Sequence, residues 1–170
     1  MHNIRCNEYI MSMGQNIQME IKQRKPFATK EEELFLNILR TSDQLMRGLA
    51  EVLKPADLSA TQYNVLRILR GAVPDGLACG EISDRMVTRD PDITRLLDRL
   101  EKRGLVARSR EKTDRRVVTA RITEAGLELL KKMDDTVTRM HKSQLGHLDA
   151  KALDALIRLL EQAREKIASH

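Results

Sequence analysis

Residues 94–126 read TRLLDRLEKRGLVARSREKTDRRVVTARITEAG, and a change of period inside this stretch decides the fold. Before Gly104, Ile93, Leu96, Leu97 and Leu100 recur at spacings of three and four, which lines one helical face and leaves Thr94, Arg95, Asp98, Arg99 and Lys102 on the other. Gly104 ends that helix. Residues 105–110 and 116–122 are then two short β-like runs separated by Glu111-Lys112-Thr113-Asp114-Arg115, which reads as a hairpin with a charged tip. Thr123 caps a long helix in which Leu127, Leu130, Met133, Val137 and Met140 keep helical spacing.

Upstream, Asp90-Pro91-Asp92-Ile93 opens the first of these helices, with Asp90 as cap and Pro91 at the first helical position. A short helix is expected over Glu81-Ile82-Ser83-Asp84-Arg85-Met86, although Ala78 and Cys79 are poor caps. Leu58-Ser59-Ala60-Thr61-Gln62-Tyr63 predicts a capping box of Ser59 with Gln62 and a hydrophobic staple of Leu58 with Tyr63. The helix it starts carries Val65, Leu66 and Leu69 and stops around Gly71, ahead of the turn signal Val73-Pro74-Asp75-Gly76. From Glu31, an earlier helix carries Phe35, Ile38, Leu39, Leu45, Met46, Leu49, Val52 and Leu53 at helical spacing, and Pro55 closes it. Residues 1–29 show no sustained period and read as a loose arm in which Met1, Met11, Met13 and Met19 are alternative translation starts. A last helix follows Leu148-Asp149, and there are no internal repeats. The expected class is mainly α with a small β-hairpin.

The chain has 170 residues, about one domain's worth. No run is long and apolar enough for a membrane span, and no secretion signal is legible, so the expected setting is cytoplasmic. Two cysteines, Cys6 and Cys79, are too few for a disulfide scaffold and lack the paired spacing of a zinc site. Aromatic residues are 2% of the chain, which argues against recognition of single strands by stacked rings. There is no G-x-S-x-G, no phosphate-binding glycine loop and no H-E-x-x-H, so neither enzyme chemistry nor a cofactor is expected. His141 and His147 are six apart, which does not place two metal ligands on one helical face.

The net charge of +5 is unevenly distributed. Within residues 85–121 lie twelve basic side chains (Arg85, Arg89, Arg95, Arg99, Lys102, Arg103, Arg108, Arg110, Lys112, Arg115, Arg116 and Arg121) against six acidic ones, so the whole basic excess sits there. A charge run is usually a solvated face. Here it coincides with a short helix, a turn, a helix with exposed arginines and a basic hairpin, the order of a winged helix-turn-helix.

Three motifs in order then resemble the MarR family of bacterial winged-helix regulators. Asp114-Arg115-Arg116 followed by Ile122-Thr123-Glu124-Ala125-Gly126 is similar to that family's D-x-R wing and L-T-x-x-G helix start, with Ile in place of Leu. The stretch 94–106 resembles its recognition helix running into the first wing strand, and 58–63 resembles its second-helix opening; the likeness spans roughly 31–168.

The resemblance implies a major-groove helix carrying Arg89, Asp90, Pro91, Asp92, Thr94, Arg95, Asp98 and Arg99, and a minor-groove wing carrying Arg110, Lys112, Asp114, Arg115 and Arg116. Arg95 and Arg99, four apart, can address guanine or neighbouring phosphates, and wing arginines suit a narrow, A·T-rich minor groove. Asp114 is read as holding a wing arginine. Asp92 serves the helix dipole or accepts from a cytosine amino group, Arg99 has the neighbours of Asp98 or Glu101 as alternative partners, and Arg103 has the helix dipole.

The resemblance further implies a homodimer on a pseudo-palindromic operator, with Leu145, Leu148, Leu153, Leu156, Ile157, Leu160 and Ile167 as the dimerising surface. Intrachain packing of those residues is the alternative. Residues 1–29 form the arm and 30–168 the domain, with a DNA-binding lobe over about 56–123 and dimerisation helices over 30–54 and 124–168. Release of a repressor by a small organic effector is the expected regulation, with no legible effector pocket. The competing readings are a winged-helix protein-interaction module and a redox sensor using Cys79.

Overall fold

The computed structural model describes residues 16–88, 92–110 and 118–167, with side chains up to Glu165. Its helices are α1 (Ile17–Glu20), α2 (Lys30–Leu53), α3 (Ala60–Arg70), α4 (Cys79–Arg85), α5 (Ile93–Lys102), α6 (Glu124–Leu145) and α7 (Ala150–Ile167). Its strands are β1 (Leu77–Ala78), β2 (Val106–Arg110) and β3 (Val118–Ile122). The chain falls into two compact units divided between Arg47 and Gly48.

In the first unit, part of the expected arm is helical. Asn16 caps α1 by accepting from the Met19 amide at 3.0 Å, Ile17 is buried, and Glu20 pairs with Arg40 at 3.3 Å. A cap and one burial site suffice to order a single turn that carries no readable period of its own. The start of α2 is also capped, because Thr29 Oγ1 accepts from the Glu32 amide while Glu32 Oε2 accepts from the Ala28 amide. Leu34, Phe35, Ile38, Leu39 and Met46 on α2 are all exposed, Phe35 by 60%.

The second unit holds one apolar core, built from Leu53, Leu58, Tyr63, Val65, Leu66 and Leu69 together with Leu77, Ile82, Leu97, Leu100, Val106 and Leu130. Ser59 and Gln62 form the expected reciprocal capping box of α3, and both staple residues, Leu58 and Tyr63, are buried. Arg70 fastens α3 to α6 through two Nη1 hydrogen bonds to the Asp134 carboxylate, at 3.0 and 2.9 Å. Thr123 caps α6 through the Gly126 amide and donates its hydroxyl to the Gly104 carbonyl at 2.6 Å. The start of α6 is thereby tied to the end of α5.

Three points differ from the sequence expectation. The sheet has three antiparallel strands in the order β1-β3-β2, not a bare hairpin. Leu77 and Ala78 become a strand only because Ala120 and Thr119 lie opposite them. For α4, the Glu81 carboxylate accepts from the Ala78 amide at 2.9 Å, which compensates for a capping residue without a side-chain acceptor. For α5, the cap is Asp92, whose Oδ1 accepts from the Arg95 amide at 3.0 Å; the helix therefore starts at Ile93, two residues later than Asp90 and Pro91 suggest. Asp90, Pro91 and Arg89 themselves lie outside the described residues.

The end of α5 is a Schellman turn. Gly104, at φ 69°, donates to the Glu101 carbonyl, and Leu105 donates to the Leu100 carbonyl while both leucines are buried. The chain thus reverses within three residues and enters β2, which pairs with β3 from Val106 opposite Ile122 to Arg110 opposite Val118. Helix-turn-helix, antiparallel sheet and flanking helices together form the winged-helix architecture.

Candidate nucleic-acid interface

Burial of Ile93, Leu96, Leu97 and Leu100 turns the opposite face of α5 outward, so Thr94, Arg95, Arg99 and Lys102 are exposed and Asp98 half-buried. The turn before α5 is held from α3, where Asn64 Oδ1 accepts from the Val87 amide at 2.9 Å. Asn64 was not legible as a site residue, since a polar residue within an amphipathic helix carries no signal of a distant backbone partner. Arg89 in the same segment lies outside the described residues, as do Lys112, Asp114, Arg115 and Arg116 at the hairpin tip. Arg110, the last described residue of β2, is exposed.

The partners of each cation sort this surface. Asp92 Oδ2 lies 2.9 Å from Arg95 Nε. The pair is exposed, with 80% of the Arg95 side chain accessible, so the guanidinium stands at the surface of α5, where its donors can match guanine O6/N7. Asp92 combines a helix cap with an ion pair to Arg95.

Arg99 does not pair with Glu101. Arg108 on β2 occupies that carboxylate instead: its Nε and Nη2 reach Glu101 Oε2 at 2.9 and 2.6 Å, and Nη2 reaches Asp98 Oδ1 at 2.5 Å. Arg99 is left exposed with no ion pair among the described residues. Arg103 likewise departs from a dipole role, since it caps the 54–56 turn by donating to the Asp57 and Ala56 carbonyls at 2.5 and 2.9 Å. Arg121 is turned to Ser109 Oγ at 2.7 Å. Among the described basic residues of this region, Arg85, whose Nη2 lies 3.9 Å from Glu81 Oε1, and Arg95, Arg99, Lys102 and Arg110 retain donors for a ligand.

The Planctomyces limnophilus MarR transcription factor is 46% identical to this chain, which covers 99% of that structure over 81% of its own length, at a TM-score of 0.64. The chain belongs to the MarR family. A profile of the MarR family matches residues 58–118, from the α3 cap into β3. A cysteine-to-serine variant of Escherichia coli MarR, complexed with operator DNA, is 26% identical, with 82% of this chain and 99% of that one covered and a TM-score of 0.73. Bordetella bronchiseptica BpsR, described for regulation of its DNA binding by 6-hydroxynicotinic acid, shares the fold at 21% identity, with 78% and 98% covered and a TM-score of 0.70. Helices α3, α4 and α5 and strand β2 all lie within the residues matched by that profile.

Two further features of this MarR-family chain bear on alternatives. Among the described residues no three His, Cys, Asp or Glu side chains are grouped to hold a metal, and no helix is long and apolar enough to cross a membrane. Cys79, at the first position of α4, is a free, half-buried thiol.

The carboxyl of Glu101 is held below the usual carboxylate range, first by its hydrogen bond from the Arg108 side chain. A depressed folded-state pKa means that this pairing stabilises the fold above the ordinary carboxylate range and is lost as pH falls through the folded value. Carbon-13 titration of the Glu101 carboxyl is expected to show a midpoint below that of an exposed glutamate, returning to the ordinary value in Arg108→Met. A normal midpoint in the unsubstituted protein would dissolve the pairing.

Proposed function

We propose that this MarR-family chain is a sequence-specific, double-stranded-DNA-binding transcriptional repressor of the bacterial cytoplasm, which acts as a homodimer and leaves a pseudo-palindromic operator when a small organic effector binds. The observation that carries the reading is the exposed face of α5, where Arg95 presents its guanidinium one helical turn from Arg99, which has no ion pair among the described residues. Thr94 stands beside them, and Arg89, Asp90, Pro91, Asp92 and Asp98 complete the recognition set expected from the family pattern. Arg110, Lys112, Asp114, Arg115 and Arg116 form the wing set, in which Arg116 and Arg115 suit the negative potential of a narrow, A·T-rich minor groove. The DNA-binding lobe occupies about 56–123, and the flanking helices over 30–54 and 124–168 serve dimerisation.

Support for dimerisation comes from side chains left uncovered within a single chain. Leu156 and Ile157 are exposed, Leu145, Leu148, Leu153 and Leu160 are half-buried, and Leu159, absent from the expected set, is 62% exposed. Ile167 lies at the end of α7, beyond the described side chains. A two-fold dimer presents its two α5 helices to half-sites about 10 base pairs apart.

The test is titration of the purified chain with a duplex from the region upstream of its own gene and with a scrambled duplex, at two salt concentrations between about 50 and 200 mM. A preference of about 1,000-fold, at one dimer per palindrome, is the expected result. Equal, strongly salt-dependent binding to both duplexes would instead favour the protein-interaction module. Release by mild oxidant, abolished in Cys79→Ser, would favour the redox sensor.

A further inference from the structure

Not every arginine of a basic surface touches DNA. Arg108 is among the least exposed cations of the α5 and wing region, with 23% of its side chain accessible, and it faces into the angle between β2 and α5. Two carboxylates meet it there. Glu101 Oε2 accepts from Nε and Nη2, Asp98 Oδ1 lies at 2.5 Å from Nη2, and Glu101 Oε1 accepts from the Arg108 backbone amide at 3.1 Å. Asp98 and Glu101 are three residues apart on α5, so both project from one side of the helix. The helix and the strand are also joined by the Arg103-Gly104-Leu105 reversal, which turns at a glycine with φ 69°, and by burial of Leu97, Leu100 and Val106 in one core, so Arg108 adds the polar link at the outer side of that packing.

We propose that Arg108 is a positioning residue of the DNA-reading lobe: it locks β2 to α5 through Asp98 and Glu101, so that recognition helix and wing meet the duplex as one body, and it contacts no phosphate. The inference rests on the DNA-binding reading above. Charge-assisted hydrogen bonds are the strong ones, and a guanidinium shared between two carboxylates would have to abandon both to reach the duplex. Doing so would also leave Asp98 and Glu101 uncompensated next to a polyanion. The depressed carboxyl pKa of Glu101 is the signature of the same contact in the free protein. Arg108 pairs in register with Ala120 at the root of the wing, so its tether fixes the direction in which the hairpin leaves the lobe.

A positioning role and a charge role predict opposite signs for one substitution. Glu101→Gln removes a negative charge from a surface that binds a polyanion, so electrostatics alone makes binding tighter. If the lock positions the wing, Glu101→Gln weakens binding instead, and Arg108→Met weakens it more. The experiment titrates the full chain and both variants with the upstream duplex and its scrambled control. Loss of about 10-fold for Arg108→Met is expected on the upstream duplex, from misplacement of otherwise intact contacts, with a smaller loss for Glu101→Gln. Tighter binding by Glu101→Gln alongside weaker binding by Arg108→Met, or no change in either, overturns the proposal.

Amide hydrogen exchange of the DNA-free protein supplies a readout independent of operator recognition. Residues 106–110 should exchange faster in both variants while α3 and α6 keep their protection. Unchanged exchange in β2 would also overturn the lock. Failure of the unsubstituted chain to prefer the upstream duplex would count against the DNA-binding reading alone, because the exchange result stands without DNA.

Discussion

Arg95→Ala is expected to lower affinity for the preferred duplex by about 1–3 kcal/mol while leaving affinity for scrambled DNA nearly unchanged. The side chain is 80% exposed, so its removal takes nothing from the core, and melting of the free protein should be unaltered. Its Nε lies 2.9 Å from Asp92 Oδ2 in an exposed ion pair, and Asp92 is itself the cap of α5. Anisotropy titrations of both duplexes decide the point. Loss only on the preferred duplex marks a base contact, whereas equal loss on both, with a salt slope reduced by about 0.9, would make Arg95 a phosphate contact.

Gly76→Ala is expected to be the most damaging conservative change outside the apolar core. Gly76 has φ 78°, and a Cβ there would lie 2.5 Å from the Ala120 carbonyl oxygen and 2.5 Å from Arg121 Cγ. The first of these is backbone of β3, opposite Leu77 in the β1–β3 pairing, so relief would require the sheet to part. A left-handed conformation costs about 1–2 kcal/mol and an overpacked contact about 1–3 kcal/mol, giving about 2–5 kcal/mol in all. Denaturant unfolding measures the loss, and Gly80→Ala is the control: Gly80 is in α4 with nothing within 4 Å of the added methyl, so alanine there should be neutral or slightly stabilising. Equal stability of Gly76→Ala and Gly80→Ala would contradict the close approach of the 71–76 turn to β3.

Much of the lobe was legible because its signals are local. Ser59 with Gln62, Gly104 after an amphipathic stripe, and Thr123 before one are marks that neighbours in sequence impose on each other, and the structure places a capping box, a Schellman turn and an N-cap at these positions. The boundary at the start of α5 went astray by the same logic. Asp90-Pro91 and Asp92 are competing caps by composition, and the hydrogen bond from the Arg95 amide to Asp92 decides between them. β1 was missed because two residues have no detectable alternation, and the strand exists only through pairing with β3. At the candidate interface, the charge count identified the region but could not distinguish an arginine available to DNA from one already engaged.

The sequence by itself determined the order of elements, the clustering of basic charge around α5 and the wing, and the likeness to the MarR family, all properties of residues close together in the chain. Tertiary structure alone decided the state of each cation: Arg108 is held by Asp98 and Glu101, Arg103 by the carbonyls of Ala56 and Asp57, Arg95 stands exposed beside Asp92, and Arg99 has no ion pair among the described residues. Arg103 finds its acceptors across 46 and 47 positions of chain, and Arg108 its carboxylates only after the chain reverses at Gly104. Electrostatic pairing depends on distance through space, which a sequence of charges does not contain until the backbone has folded.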